Sequence, residues 1–345
     1  LGALITAIIQ SSSATTVMVV GFVNAGILSL SQAVGVIMGA NIGTTITAWF
    51  VSMSEWGEIL KPEFYAPVLV GIGAFILLFA KKEKQKEVGS ILVGFGVLFI
   101  GLSFMSGSIE PYRDSPVFSQ VFTVLGNNPI LGILAGVIVT GIIQSSSASV
   151  GILQTLAMNG VVTWNSAIFI TLGQNIGTCV TALLASMGTH KTAKRAAVIH
   201  LMFNVIGAVI FGIVMFIVFT LNPVWASSTI TSTQISIFHT VFNVVNTIIL
   251  FPFANQLVSL SGKIVREKTA EPEETVEQQV SSHLDARLLE NPSFAIETAK
   301  REVLRMGDLA LENVRLGEQA VLTNDQEAAD RIFAQEKTIN FMEKA

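Results

Sequence analysis

Charge is scarce in this chain, and the scarcity is uneven. Only 13% of its 345 residues are charged, against about 25% in an ordinary soluble domain. No Lys, Arg, Asp or Glu lies between residues 2 and 53, or between 136 and 187. A single cysteine, Cys179, excludes internal disulfides and a cysteine-ligated metal site. A net charge of −4 is too mild to mark a nucleic-acid surface. What remains is apolar: 51% of residues are hydrophobic and the mean hydropathy is +0.65. The class is a membrane protein. The first residue is Leu and no charged leader precedes the first apolar run, so no secretory signal peptide is recognisable and the chain reads as a fragment or a processed product.

Within the oily sequence one pattern occurs twice. "GALITAIIQSSSATT" near the start is matched by "GVIVTGIIQSSSASV" in the middle, and an offset of 134 takes Gln10 to Gln144. The same offset takes Asn41-Ile42-Gly43-Thr44 to Asn175-Ile176-Gly177-Thr178, and Met53 to Met187, without a gap. About two-fifths of the aligned positions are identical, well above the level at which repeats become hard to see. This is an internal duplication, with repeat one at 2–53 and repeat two at 136–187.

After about residue 270 the apolar runs stop. The expected organisation is a transmembrane domain over 1–262, a linker over 263–292 and a soluble helical segment over 293–345. In that last part Ala295, Ala299, Val303, Met306 and Leu309 recur at helical spacing among charges, which predicts two amphipathic helices. In the membrane part, Phe64–Ala80, Val88–Ser106, Ala196–Phe219 and Gln234–Phe253 read as ordinary spans, and Ser31–Met53 and Asn165–Met187 are also long enough. The Gln-Ser segments are not. Gly2 to Ile9 makes about 12 Å of helix against a hydrocarbon core of about 30 Å, and Ala14–Val23 is a similarly short arm. Each copy fits a re-entrant hairpin that enters halfway, turns at the serines and leaves on the same side. Serine hydroxyls can satisfy the backbone groups released where a helix stops in lipid. The alternative is a full-length helix with a polar seam.

Three basic clusters, Lys81–Lys86, His190–Arg195 and Gly262–Lys268, are expected on the cytoplasmic side. Threading the chain with hairpins that do not cross puts all three on one face, Met53 outside and Met187 inside. The repeats are then inverted, the first hairpin opening to the cytoplasm and the second to the exterior. Val88–Ser106 precedes repeat two with no counterpart before Leu1, so about one helix is expected upstream. The fold class expected is an all-α membrane protein with inverted-topology repeats, two re-entrant helical hairpins, broken helices and a soluble helical C-terminal segment. That is the architecture of secondary transporters.

The polar residues point to an anion held without cationic side chains. The tips gather Gln10, Ser11, Ser12, Ser13, Thr15 and Thr16 with Gln144, Ser145, Ser146, Ser147 and Ser149. A helix restarting after a tip aims free N–H groups and its positive dipole end at the cavity. The ends of the incoming half-helices and the amide oxygens of Asn41 and Asn175 supply neutral oxygens suited to sodium, and a break at Gly43 and Gly177 would turn carbonyls inward. Co-bound cations would offset the buried anion. His200 with Asn204, and His239 with Asn243, share helical faces; ties between helices are the ordinary reading and a proton-sensitive or substrate-facing pair the sharper one.

At these residues the chain resembles the type II sodium/phosphate cotransporter family. The resemblance rests on "QSSSATT" and "QSSSASV", each followed by "GANIGTT" or "GQNIGTC", and covers the membrane domain. It implies inorganic phosphate as substrate, sodium as the co-transported driving ion and alternating access, with no enzyme activity. Gln10, Ser11, Ser12, Ser13, Gln144, Ser145, Ser146 and Ser147 would bind substrate. Ser13, Thr15, Asn41, Thr44, Ser147, Ser149, Asn175 and Thr178 would bind sodium. The tail "LDARLLENPSFAIETAKREVLRMGDLALENV" is similar to a partial PhoU-like cytosolic domain, which implies a bacterial inner membrane with the C-terminal part in the cytoplasm. The expected partners are phosphate, sodium and lipid, with a homodimer compatible and no nucleic acid. An exporter or facilitator, or a carrier of another oxyanion, is the competing reading. A remote one is an intramembrane serine hydrolase, which lacks a Gly-x-Ser-x-Gly elbow and any His or carboxylate within either motif.

Overall fold

The computed structural model describes residues 1–56, 62–112, 115–266, 292–323 and 325–344. The first short arm, α1 (Gly2–Ile9), turns into α2 (Ser12–Asn24), and α3 (Leu30–Ser52) follows. A helical hairpin comes next, α4 (Pro62–Phe79) and α5 (Glu83–Ile109), and then α6 (Pro116–Asn127). The second tip joins α7 (Pro129–Ile143) to α8 (Ser146–Met158), followed by α9 (Trp164–Gly177) and α10 (Cys179–Ala185). The long α11 (Lys191–Leu221), the short α12 (Pro223–Ser227), α13 (Ser232–Leu250) and α14 (Ala254–Ile264) complete the apolar part. Beyond it lie α15 (Pro292–Thr323) and α16 (Gln326–Lys344), the two amphipathic helices that the spacing predicts. Most of the expected linker, 267–291, falls outside the described residues.

Length and composition qualify five helical stretches to cross a bilayer: Leu30–Ser52, Glu83–Tyr112, Trp164–Ala185, Lys191–Leu221 and Ser232–Ile264. The protein is therefore a multi-pass membrane protein. Its outer faces agree: Leu4 and Ile8 of α1, Ile138 and Ile142 of α7, and Ile213, Phe216 and Ile217 of α11 are exposed apolar side chains that water would penalise and lipid would not. Two boundaries differ from expectation. The last span does not end at Phe253; a 3₁₀ turn at Phe251–Phe253 leads into α14. And α6, too short to register as a span, packs before the second hairpin at 113° to α7. The junction is set locally, because the Asn128 Oδ1 accepts from the N–H groups of Ile130 and Leu131 while Pro129 opens α7.

The duplication carries through to packing. α2 and α8 both run 13 residues, with starts and ends 134 apart, and α3 is matched by α9 plus α10. α1 lies along α3 just as α7 lies along α9. In both pairs the backbones nearly touch: a Cβ on Gly2 would collide with the carbonyl oxygen of Val36, and one on Gly136 with that of Ile170. Gly43 and Gly177 serve the same close approach, against the Cβ atoms of Thr6 and Thr140 at 2.7 Å each. This corrects the expected break at those glycines. α3 is continuous through Gly43, and the interruption after Gly177 is confined to Thr178, which keeps helical dihedrals (φ −58°, ψ −27°). The glycines are there for helix contact, not to open the backbone.

The remaining helices clamp this pair of repeats. α3 is tied to α13 by Trp49 Nε1 donating to Thr240 Oγ1 at 2.9 Å, and by the Glu55 carboxylate accepting from the Ser232 and Thr233 N–H groups at 2.8 Å each. Phe169, Phe219 and Phe242 centre one apolar core around α9, α11 and α13, while Met38, Phe203 and Leu250 hold α3 to α11 and α13. Arg301 of α15 donates to the Gly26 carbonyl at 2.9 Å, bringing the tail against the α2–α3 turn.

The glycine contacts make a testable statement. Gly136→Val should lower the melting temperature by several degrees and reduce monodisperse yield, as overpacking typically costs about 1–3 kcal/mol. Gly94→Ala, at a position with open space around it, should change neither. An unaffected Gly136→Val would show that α7 is not seated on α9.

Candidate functional site

Each tip is one turn of unusual backbone. Gln10 (φ 59°) and Gln144 (φ 57°) are the two non-glycine residues with positive φ among the described residues. Left-handed backbone normally falls to Gly or Asn at a helix C-terminus, and a larger side chain there costs on the order of 1 kcal/mol. Each Gln closes its incoming arm through its own N–H, to the carbonyl of Thr6 or Thr140 at 2.7 Å. The next residue, Ser11 or Ser145, is extended and caps the outgoing helix, its Oγ accepting from the N–H of Ala14 or Ala148 at 3.1 and 3.2 Å. The turn therefore sits at Gln-Ser, and the second and third serines of each triplet already belong to the first turn of α2 or α8.

The tips are pinned from below by a second matched pair. Thr6 Oγ1 donates to Thr15 Oγ1 at 3.0 Å, and Thr140 Oγ1 to Ser149 Oγ at 2.7 Å. Gln174 Nε2 also donates to the Ser149 hydroxyl, at 3.0 Å. These hydroxyls hold the two arms of each hairpin together where no water would satisfy them.

The two tips meet. Ser12 Oγ lies 3.3 Å from Ser146 Oγ, and these residues are each other's repeat counterparts. Thr181 Oγ1 donates to Ser13 Oγ at 3.2 Å, and Ser147 Oγ to Thr47 Oγ1 at 3.3 Å, again a pair related by the offset. A residue touching its own counterpart, flanked by reciprocal contacts, is the signature of an approximate two-fold axis. The N-termini of α2 and α8 are thereby apposed, positive dipole ends together, in repeats that contain no carboxylate.

The symmetry is incomplete. Gln10 is half-buried, its Oε1 accepting from Thr47 Oγ1 at 2.8 Å and its Nε2 donating to the Ala7 carbonyl. Gln144 is exposed, and Thr181 Oγ1 donates to the Thr178 carbonyl at 2.9 Å while lying 3.2 Å from the Ser13 hydroxyl.

Of the residues expected at the site, Gln10, Ser12, Ser13, Ser146 and Ser147 make contacts across or beside the tips. Ser11, Ser145, Thr15 and Ser149 are at the tips, with their side chains in the caps and latches just described. Thr44 and Thr178 donate back to the carbonyls of Ala40 and Gln174. Asn41 and Asn175 are buried and donate their Nδ2 to Ile37 and Thr171, which leaves each amide oxygen as the group suited to a cation. Thr47, Thr181, Thr6, Thr140 and Gln174 escaped the sequence reading. Two identical Thr pairs at the 134 offset, outside the Gln-Ser runs, were the available signal.

No hydrogen bond joins the histidine pairs to the tips among the described residues. Asn204 Nδ2 donates to the Cys179 thiol at 3.3 Å and Asn246 Nδ2 to the Phe203 carbonyl at 3.1 Å, so ties between helices fall to Asn204 and Asn246, whereas Asn243 bonds within α13. His200 and His239 are both buried.

A family model described as Na+/Pi-cotransporter matches residues 1–107 and 115–228. Similar proteins include one named inorganic phosphate export protein YjbB from Salmonella typhimurium, 28% identical over 92% of this chain and 56% of its own length. YqeW of Bacillus subtilis is 31% identical over 76% of this chain and 82% of its own length. Sodium-dependent phosphate transport protein 2A of Rattus norvegicus is 31% identical over 35% of this chain and 21% of its own length. No solved structure matches. The chain thus spans little more than half the length of the YjbB proteins that it matches. With the duplicated tips and a family match across both repeats, the chain belongs to the Na+/Pi-cotransporter family.

Proposed function

We propose that this chain carries inorganic phosphate across the bacterial inner membrane by alternating access, coupled to sodium. The observation that carries the reading is the apposition of the α2 and α8 N-termini at the Ser12–Ser146 contact. Two positive helix ends repel one another, and an anion between them converts that repulsion into attraction. Ser12, Ser13, Ser146, Ser147 and the amides of Gln10 and Gln144 supply the donors, with the backbone N–H groups beside Ser11 and Ser145. A tetrahedral oxyanion suits such a converging set. Sodium would take the Asn41 and Asn175 amide oxygens together with oxygens of Ser13, Thr15, Thr44, Ser147, Ser149 and Thr178, and each ion lowers the cost of burying the other.

The repeats are proposed to be inverted in the membrane, with the approximate two-fold axis lying in the bilayer plane and the basic clusters and the tail on the cytoplasmic side. The unequal glutamines then have a mechanical meaning. Here Gln10 is latched to Thr47 and Gln144 is exposed; exchanging those roles, with Gln144 on Thr181, generates the state open to the other side. Direction remains a separate matter from mechanism. The YjbB relatives are named as exporters, which favours export as a second reading of the same site.

Three outcomes are expected in proteoliposomes. Ser12→Ala and Ser146→Ala should each reduce sodium-dependent phosphate flux about 10- to 100-fold, the loss of one hydrogen bond to a charged group being worth about 1.5–3 kcal/mol, with elution profile unchanged. Unchanged flux rejects the tip as the binding site, and flux indifferent to replacing sodium by choline rejects the coupling. Thr47→Val and Thr181→Val should shift the balance of inward- and outward-facing states in opposite directions, read by labelling of a cysteine at Ala148, which is exposed beside the second tip and leaves both glutamines in place; equal shifts would dismiss the exchange of latches. Cysteines at Lys82 and Tyr112, which flank α5, should label from opposite membrane faces, and same-side labelling would overturn the inverted arrangement.

A further inference from the structure

The α4–α5 hairpin stands apart from the tips and holds a cleft that transport does not use. It has a volume of about 450 Å³ and is lined by Phe75, Ile76, Phe79 and Ala80 of the first helix and its end, and by Lys84, Gln85 and Val88 of the second. Near the floor of the cleft the helices cross backbone to backbone: a Cβ on Gly73 would meet the Gly89 carbonyl oxygen at 2.7 Å, and one on Gly89 the Gly73 carbonyl oxygen at 2.9 Å. That crossing leaves little freedom in how the two walls are spaced. Phe75 and Phe79, with ring centroids 4.6 Å apart, form an exposed aromatic wall.

The rim has the opposite chemistry. Lys81, Lys82 and Lys84 cluster at the turn and, among the described residues, form no ion pair, whereas Lys86 is held by Glu83 at 3.0 Å. Glu87 is the other carboxylate nearby, and is exposed. No side chain caps the N-terminus of α5, where Lys82 is the N-cap residue, so the first turn of a 27-residue helix presents its N–H groups and positive dipole end beside the lysines.

We propose that this cleft is a binding site for an anionic phospholipid. The phosphate sits at the rim on Lys81, Lys82, Lys84 and the α5 N-terminus, and an acyl chain lies over Phe75, Phe79 and Val88. A free phosphate would use the rim alone and a zwitterionic lipid chiefly the wall; only an anionic lipid uses both. Lys84 lines the cleft and is exposed, so its methylene stem can cover the apolar wall while its ammonium reaches a headgroup at the rim. The proposal requires only that the hairpin lie in a bilayer and is independent of the substrate carried at the tips.

The test is native mass spectrometry of the full chain in mild detergent, titrated with dioleoylphosphatidylglycerol or dioleoylphosphatidylcholine. Phosphatidylglycerol should be retained at least about fivefold better, and a Lys81→Gln, Lys82→Gln, Lys84→Gln triple variant should bring it down to the phosphatidylcholine level. Val88→Trp, which fills an exposed cleft and leaves the lysines intact, should also lower retention of phosphatidylglycerol. Millimolar inorganic phosphate should not displace the lipid. Equal retention of the two lipids, full retention by either variant, or displacement by phosphate overturns the site. Phosphate flux by the variants serves as the folding control, because none of these residues touches the tips.

Discussion

A helix that stops inside the apolar body of a membrane protein leaves backbone groups that must be satisfied from within, and much of this structure follows from meeting that constraint twice. The two tips use the same means. A left-handed Gln closes the incoming arm on a threonine carbonyl, an extended Ser caps the outgoing helix, and a buried hydroxyl pair ties the arms together. Glycine would be the cheaper residue in that backbone conformation. Glutamine there puts a side-chain amide at the tip, where the proposed function uses it.

The consequence for electrostatics is equally direct. Bringing Ser12 to 3.3 Å from Ser146 places two positive helix ends together without any acidic side chain to balance them. The arrangement is held by packing that does not depend on the tips, through the glycine contacts of α1 on α3 and α7 on α9 and the clamp of α11 and α13. A packed frame around a field that calls for an anion is the arrangement on which the proposed function relies. Where the frame is not symmetric, at Gln10 and Gln144, the difference is two side-chain hydrogen bonds, to Thr47 and to the Ala7 carbonyl, small enough to exchange in the cycle proposed above.

Much of the fold was legible in the linear chain. The offset of 134 announced two equivalent tips, and the helices leaving them, α2 and α8, start and end 134 residues apart; the 15-residue arm α7 that enters the second tip is longer than the short arms expected. Other elements were hidden for physical reasons. α6 carries too few apolar residues to register as a span, and its place is settled by the bend at Asn128–Pro129. Gly43 and Gly177 signalled a break because glycine weakens helices, but a neighbouring helix close enough to need the missing Cβ outweighs that preference.

The sequence by itself determined the membrane class, the duplication, the polar tips and the two amphipathic tail helices, because each is written in periodicity and residue type along one stretch of chain. Only the tertiary structure decided that Ser12 meets Ser146, that Thr47 and Thr181 are partners of the opposite repeat, and that one glutamine is latched and the other open. The contacts between repeats join residues 100 to 168 positions apart, and even the Gln10–Thr47 latch spans 37. They depend on how two hairpins are seated on their supporting helices, and no local pattern encodes that distance.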